Sequence, residues 1–252
     1  MLAIERRREI LARLTANGKV IVAELAKDFE VTEETIRRDL DKLDKEGLAS
    51  KTYGGAVSKH NASVDLPYNI REGVNVAQKQ QIAQLIADLI EDGQRVMIDS
   101  SSTALYAIKK IKEKSNLTII TNSVKVLLEL ADKPDWTVLS TGGILKKNAL
   151  ALMGSSAEKM INSYHVDIAI CSCKGLDMEL GVTDSNENDS LIKQAMFHSA
   201  EKRILALDSE KFDKKSFVKV CDFSDVDLIV TDTAPTEKWI GFCEEKNINL
   251  VY

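Results

Sequence analysis

The sequence predicts an α/β protein in two parts: a small N-terminal winged helix-turn-helix, then a larger domain built on a mostly parallel sheet. Two observations carry this expectation. Residues 31–57, VTEETIRRDLDKLDKEGLASKTYGGAV, combine a capped amphipathic helix with a hairpin closed by a Gly-Gly turn. From Leu66 onward, short apolar strands alternate with helix-length segments, a pattern that implies parallel strands covered on both faces.

The N-terminal elements follow from periodicity and punctuation. Residues 4–14 place Ile10, Leu11 and Leu14 on one helical face and Arg6, Arg7, Arg8 and Arg13 on the other, and Asn17-Gly18 ends the run. Residues 21–29 form a short second helix with Leu25, Ala26 and Phe29 inward, and Glu30-Val31 is a tight turn. Thr32 caps a third helix, whose core positions are Ile36, Leu40 and Leu43 and whose end is Gly47. Residues 48–52 are a strand, Tyr53-Gly54-Gly55 a turn, and Ala56-Val57 the return. Three helices and a hairpin of this length can fold alone.

Thr35, Arg37 and Arg38 fall off the apolar face in the first half of the third helix. A recognition helix presents side chains to base edges and phosphates from that position. The candidate DNA-binding residues are therefore Thr32, Glu34, Thr35, Arg37 and Arg38 on this helix, with Lys51, Tyr53, Gly54 and Gly55 on the wing. A plainer reading pairs Arg37 and Arg38 with Glu33 and Glu34 at i,i+4 on a solvated helix face. The surrounding turn, helix and Gly-Gly wing favour the DNA reading.

Residues 1–58 form the expected first domain, 59–65 a polar linker and 66–252 the second domain. In the second domain, residues 77–90 are helical with Ile82, Leu85, Ile86 and Leu89 on one face. Strands are expected at 95–98, 118–120, 137–139, 167–171, 203–207, 228–230 and 249–251. Helices fit between most of them, at 103–111, 124–131, 190–200 and 237–246. In such a sheet, ligands bind at the carboxyl ends of the strands. Those ends carry Asp99-Ser100-Ser101-Ser102-Thr103, Thr121-Asn122-Ser123, Ser140-Thr141-Gly142-Gly143, Lys174-Gly175 and Asp208-Ser209-Glu210-Lys211. One hydroxyl before a helix is normally just a cap. Five polar clusters at successive strand ends instead suggest a pocket for a small polyhydroxylated anion, with helix N-termini, Lys174 and Lys211 supplying positive potential.

Composition bounds the function. The chain has 252 residues, is 44% hydrophobic and contains only three prolines, which suits two packed domains and gives no sign of a disordered region. No apolar run approaches a bilayer's span, and the N-terminus MLAIERRREIL lacks a signal peptide's apolar core, so a cytoplasmic protein with no membrane partner is expected. Net charge is −5, yet residues 1–58 balance eleven Lys/Arg against eleven Asp/Glu. This disfavours nonspecific DNA packing and makes dimerisation on a repeated operator the expected route to affinity. Cys171, Cys173, Cys221 and Cys243 read as reduced structural residues, and His60, His165 and His198 lack ligand spacing. No metal, cofactor or catalytic residue is expected.

The strings TIRRDL and GLASKTYGGAV closely resemble the DNA-binding domain of the DeoR family of bacterial sugar-metabolism regulators. The likeness extends through DSSST, TNS, STGG, KGLDMELGVTDSNE, LIKQAM and DSEKF, which resemble that family's C-terminal sensor. The resemblance implies a sensor similar in fold to ribose-5-phosphate isomerase that recognises a phosphorylated sugar or polyol. Carried over by position, it implies pocket roles for Asp99, Ser100, Ser102, Thr103, Thr121, Asn122, Gly142, Gly143, Lys193 and Lys211. The strand-end reading adds Ser101, Ser123, Lys174 and Gly175. Ser172, Lys174 and Glu210 depart from the family's usual residues, which implies a different preference for the head group.

The expected function is a sequence-specific DNA-binding regulator, a repressor of a sugar-catabolism operon that a phosphorylated sugar releases from its operator. It is expected to act as a homodimer or higher homo-oligomer. The alternative is a sugar-phosphate isomerase or amino-sugar deaminase on the same scaffold, with Asp99, Asp184 or Glu187 as base and Lys174 or Lys211 as polarising cation. The fused DNA-binding headpiece argues against that alternative; Glu187 is also among the candidate effector-binding residues.

Overall fold

A computed structural model describes residues 2–58 and 66–252. The expected linker at 59–65 lies outside the described residues. The chain divides into two compact units, Met1–Val76 and Ala77–Tyr252.

In the first unit, α1 (Ala3–Asn17) ends at Gly18, whose φ of 71° is the left-handed closure the sequence suggested. After it come β1 (Lys19–Ile21), α2 (Val22–Asp28) and α3 (Glu33–Lys45). The Thr32 hydroxyl caps α3 by accepting from the Thr35 backbone N–H at 3.2 Å. β2 (Ala49–Thr52) and β3 (Gly55–Ser58) form the wing, and β1 joins it to give a three-stranded sheet in the order β1-β3-β2. Ile10, Leu11, Leu14, Leu25, Ile36, Leu40 and Leu43 share one core, as the periodicity requires.

Three features differ from the sequence reading. The strand β1 lacks the length or alternation that would announce it. Its presence explains Gly55, where an added Cβ would lie 2.1 Å from the Val20 carbonyl oxygen. Gly54 instead serves the turn, with φ of 86°. Arg6 is buried, not solvated, because its guanidinium meets Asp39 on α3. Finally, Leu66, Tyr68 and Ile70 belong to the first unit. The short α4 (Tyr68–Gly73) buries Tyr68, while Leu66 and Ile70 pack on the headpiece core. The compact boundary thus falls eleven residues after 65, because apolar side chains flanking Pro67 find burial in the headpiece.

The second unit begins along α5 (Val76–Leu89) and is organised by seven parallel strands: β4 (Arg95–Ile98), β5 (Thr118–Thr121), β6 (Thr137–Ser140), β9 (Val166–Cys171), β12 (Ala200–Ala206), β14 (Leu228–Val230) and β15 (Asn249–Val251). Their spatial order is β15-β14-β12-β9-β4-β5-β6. The helices between them are α6 (Ser102–Lys110), α7 (Val124–Glu129), α8 (Ser155–Ile161), α9 (Glu187–His198) and α10 (Glu237–Glu245). All seven strands match expected segments to within a few residues. Also present are a hairpin, β7 (Ile144–Lys146) with β8 (Ala151–Met153), and a small sheet ordered β10-β11-β13 from Gly175–Asp177, Gly181–Asp184 and Val218–Cys221. These short strands carry no clear alternation and were not expected.

Trp239 anchors one side of the core, with edge-on Phe212 and Phe242 at ring centroids 5.1 and 5.6 Å away. The four cysteines are free and buried. Burial pushes the Cys173 and Cys221 thiols up to about 12, so neither is a thiolate nucleophile at neutral pH. Among the described residues, no helix is long and apolar enough to cross a membrane.

Candidate functional site

The headpiece presents a polar helix face beside an exposed wing. On α3, Arg37 and Arg38 project from the surface, and Thr35 is half-buried. Arg37 donates to Glu33 at 2.5 Å and Arg38 to Glu34 at 3.2 Å, the i,i+4 pairs of the plainer reading. Such exposed pairs contribute about 0–1 kcal/mol, so they yield readily to a competing phosphate or base. On the wing, Lys51 reaches across to Asp41 of α3 at 2.5 Å. Tyr53 at the tip is fully exposed. An aromatic side chain left wholly in water at the end of a hairpin is available to a groove or sugar-phosphate surface.

In the sensor unit, strand register assembles the polar clusters. Ile98 pairs with Thr121, Thr121 with Ser140, Ile98 with Ile170, and Cys171 with Leu205. The segments starting at Asp99, Asn122, Thr141 and Ser172, with Asp208 just beyond β12, therefore leave the sheet along one carboxyl edge. Ser101 caps α6 by accepting from Ala104 N at 3.1 Å, and Ser123 caps α7 by accepting from Val126 N at 3.3 Å. Ser100, Ser102 and Thr103 are buried around the start of α6. Thr121 donates to the Ile98 carbonyl at 2.8 Å, locking β5 to β4 beyond the ladder. Asn122 donates to the Leu152 carbonyl at 3.1 Å and so holds the β7–β8 hairpin against this edge.

Gly142 and Gly143 have φ of 64° and 103°, and a Cβ on Gly143 would lie 2.5 Å from the Met153 oxygen. A Cβ on Gly175 would lie 2.3 Å from the Lys214 carbonyl oxygen. Close backbone approach thus accounts for Gly143 and Gly175.

The charged groups form two clusters. Lys193 of α9 is buried between Asp184, with which it makes a short ion pair, and Asp99 at 3.6 Å. Burial alone would disfavour the Lys193 ammonium, but Asp184 and Asp99 hold it protonated well above the usual lysine range. Burial likewise works against the Asp184 carboxylate, and Lys193 and Lys174 pull it below its ordinary range. Asp99 also accepts from the backbone N–H groups of Ser101 and Ser172, both at 3.0 Å, tying the β4 and β9 exits together. In the second cluster, half-buried Lys211 meets the buried Asp208 at 3.4 Å. Glu187 is exposed in the first turn of α9.

Asp184 and Asp208 are parts of this edge that the sequence reading did not place in the binding set. Asp184 ends a buried strand two residues before Asn186, the α9 cap, and its pairing with Lys193 is a tertiary contact that no local pattern announces. A separate cleft of about 700 Å³ runs between α8, α9 and β13. It contains none of the expected effector residues, and its cations Arg203 and Lys219 are engaged by Asp227 and Asp222.

The model of the DeoR-like helix-turn-helix domain matches residues 6–62, and that of the DeoR C-terminal sensor domain matches residues 74–233. The uncharacterised HTH-type transcriptional regulator YulB of Bacillus subtilis is 38% identical over 99% of this chain and 96% of its own. The L-fucose operon activator of Haemophilus influenzae is 31% identical over 96% and 97%, and the glycerol-3-phosphate regulon repressor of Escherichia coli 28% over 98% and 97%. Among solved structures, ribose 5-phosphate isomerase A of Methanocaldococcus jannaschii is similar over 56% of each chain, at 16% identity and a TM-score of 0.41. The headpiece geometry, the parallel sheet with its polar carboxyl edge and these full-length relatives together place the chain in the DeoR family of helix-turn-helix transcriptional regulators.

Proposed function

We propose that this regulator represses a sugar-catabolism operon and that a phosphorylated sugar or polyol, bound at the carboxyl edge of the sensor sheet, releases it. The supporting observation is the alignment of five polar strand exits on one edge, with helix N-termini and the half-buried Lys174 and Lys211 beside them. Lys193 serves differently. It is buried between Asp99 and Asp184 and so organises the edge, whereas Lys174 and Lys211, half-buried beside Asp184 and Asp208, are the cations within reach of a phosphate. Regulation follows from linkage: the effector lowers operator affinity by as much as it prefers the DNA-free state. The headpiece's balanced charge supports operator binding as a dimer or higher oligomer.

The carboxylates support binding over catalysis. Asp99 is tied to two backbone N–H groups, and Asp184 is paired with Lys193, so neither stands ready as a general base. Sugar phosphates incubated with the protein are expected to be recovered unchanged, and product formation would favour the enzyme alternative.

The deciding test is calorimetric titration of phosphorylated sugars and their unphosphorylated parents. Only the phosphorylated form is expected to bind and to release DNA, and the Ser102→Ala/Thr103→Ala double variant is expected to lose that preference. Equal binding of both forms by the wild-type protein would exclude the anion site. Lys211→Ala is expected to weaken effector binding by about 1.5–3 kcal/mol, roughly tenfold to a hundredfold, and to retain DNA binding. The result would be a repressor that cannot be induced. Unchanged induction would shift the phosphate contact to Lys174.

A further inference from the structure

The buried face of α3 comprises Ile36, Asp39, Leu40 and Leu43, so one carboxylate lies among three aliphatic side chains. Asp39 is 4% exposed. Its Oδ2 accepts from Arg6 Nε at 2.5 Å, and its Oδ1 accepts from Arg7 Nη1 at 3.2 Å. Both donors come from α1. Arg6 is itself buried, and Arg7 is partly so.

Stability alone does not call for this arrangement. Desolvating an ion pair costs several kcal/mol, and well-packed apolar replacements of such pairs are often equally or more stable. What the clasp supplies is direction. Two oxygens of one short side chain, each fixed by a different arginine of α1, restrict the rotation of α3 about its own axis. Hydrophobic contacts at Ile36, Leu40 and Leu43 are non-directional and tolerate small rotations. Base recognition does not tolerate them. A side-chain tip lies about 5–6 Å from a helix axis, so a 20° rotation moves it by about 2 Å. That displacement exceeds the width of the usual hydrogen-bond distance range, about 2.7–3.2 Å. Arg38 immediately precedes Asp39, and Thr35 lies one turn before it.

We propose that Asp39, held by Arg6 and Arg7, is a positioning residue that sets the rotation of the recognition helix and thereby its base specificity. The proposal rests on α3 being the helix that reads DNA. It assigns Arg6 and Asp39 no contact with DNA.

The test is selection from duplexes with a randomised core, using the full-length wild type, Arg6→Lys, and the double variant Arg6→Met/Asp39→Leu. Arg6→Lys keeps the charge but replaces the planar guanidinium with a point donor. The double variant replaces the Arg6–Asp39 pair with packing. Both are expected to stay folded and to keep salt-dependent binding to random-sequence duplex. For each, the affinity ratio of the wild-type selected site to random duplex is expected to fall at least tenfold. A merely structural clasp would change the melting temperature and leave this ratio intact, and an unchanged ratio in the folded variants overturns the proposal. If the double variant fails to fold, the ratio for Arg6→Lys decides. If the wild type selects no sequence at all, the DNA-reading assignment of α3 fails as well, an outcome distinct from a wild-type motif that survives in the variants.

Discussion

Lys193→Ala is expected to destabilise the sensor unit by about 3–5 kcal/mol, the cost of leaving buried carboxylates without their cation. Asp99 and Asp184 are each 1% exposed, and Lys193 is the ammonium that bridges them. Losing that amount from a typical domain stability of about 5–15 kcal/mol brings the unit close to unfolding. Denaturant titration followed by Trp239 fluorescence would measure it, since this tryptophan is buried in the sensor core. Lys193→Met is expected to cost nearly as much, because the missing charge dominates over the lost volume. A loss under 1 kcal/mol in both variants would contradict the buried ion cluster.

The same cluster sets a pH window. Asp184's folded pKa is depressed below its ordinary 3.8, so its contribution is fully present above that value and is lost as pH falls through the folded value. Lys193's folded pKa is raised above its ordinary 10.5, so its contribution is fully present below 10.5 and is lost only as pH rises through the folded value. Between these limits the cluster's contribution is flat. Acid unfolding of the wild type is expected to include a step that is absent when Asp184 and Lys193 are both replaced by apolar residues.

Arg37→Ala and Arg38→Ala are each expected to cut operator affinity sharply without unfolding the protein. Both side chains are exposed, and their pairs with Glu33 and Glu34 contribute about 0–1 kcal/mol at most. A bidentate contact from arginine to a base carries about 1–3 kcal/mol of discrimination. Losing one such contact weakens binding by about tenfold or more per headpiece and relaxes specificity at one base pair. A phosphate contact instead weakens all sequences alike and lowers the salt slope by about one. Operator titrations at several salt concentrations, with a scrambled duplex beside them, separate the two roles. The double variant is expected to lose specific binding while its melting temperature and effector titration stay at wild-type values. Wild-type affinity in both single variants would move DNA recognition away from this helix.

Local signals carried much of the structure because they rest on rules that act over a few residues. Thr32 before a helix, Gly18 and Gly47 after helices, and the core spacing of Ile36, Leu40 and Leu43 needed no tertiary information. The seven strands were legible because a strand buried on both faces is a short apolar run between turn residues. Their carboxyl ends announced the polar edge in the same way.

Tertiary structure alone decided what depends on partners distant in the chain. A three-residue strand such as β1 has too little sequence to show alternation, and it exists because β3 offers it hydrogen bonds. The burial of Arg6 depends on Asp39, thirty-three residues away, and no helical periodicity distinguishes an arginine facing water from one facing a carboxylate. Lys193 illustrates the limit most clearly. The family resemblance implied a pocket role for it, whereas its packing against Asp99 and Asp184 matches its charge within the protein. The sequence determined which residues are helical, extended and polar-edged; the fold decided which of their charges already have partners, because pairing depends on distance in space and desolvation, and neither is written along the chain.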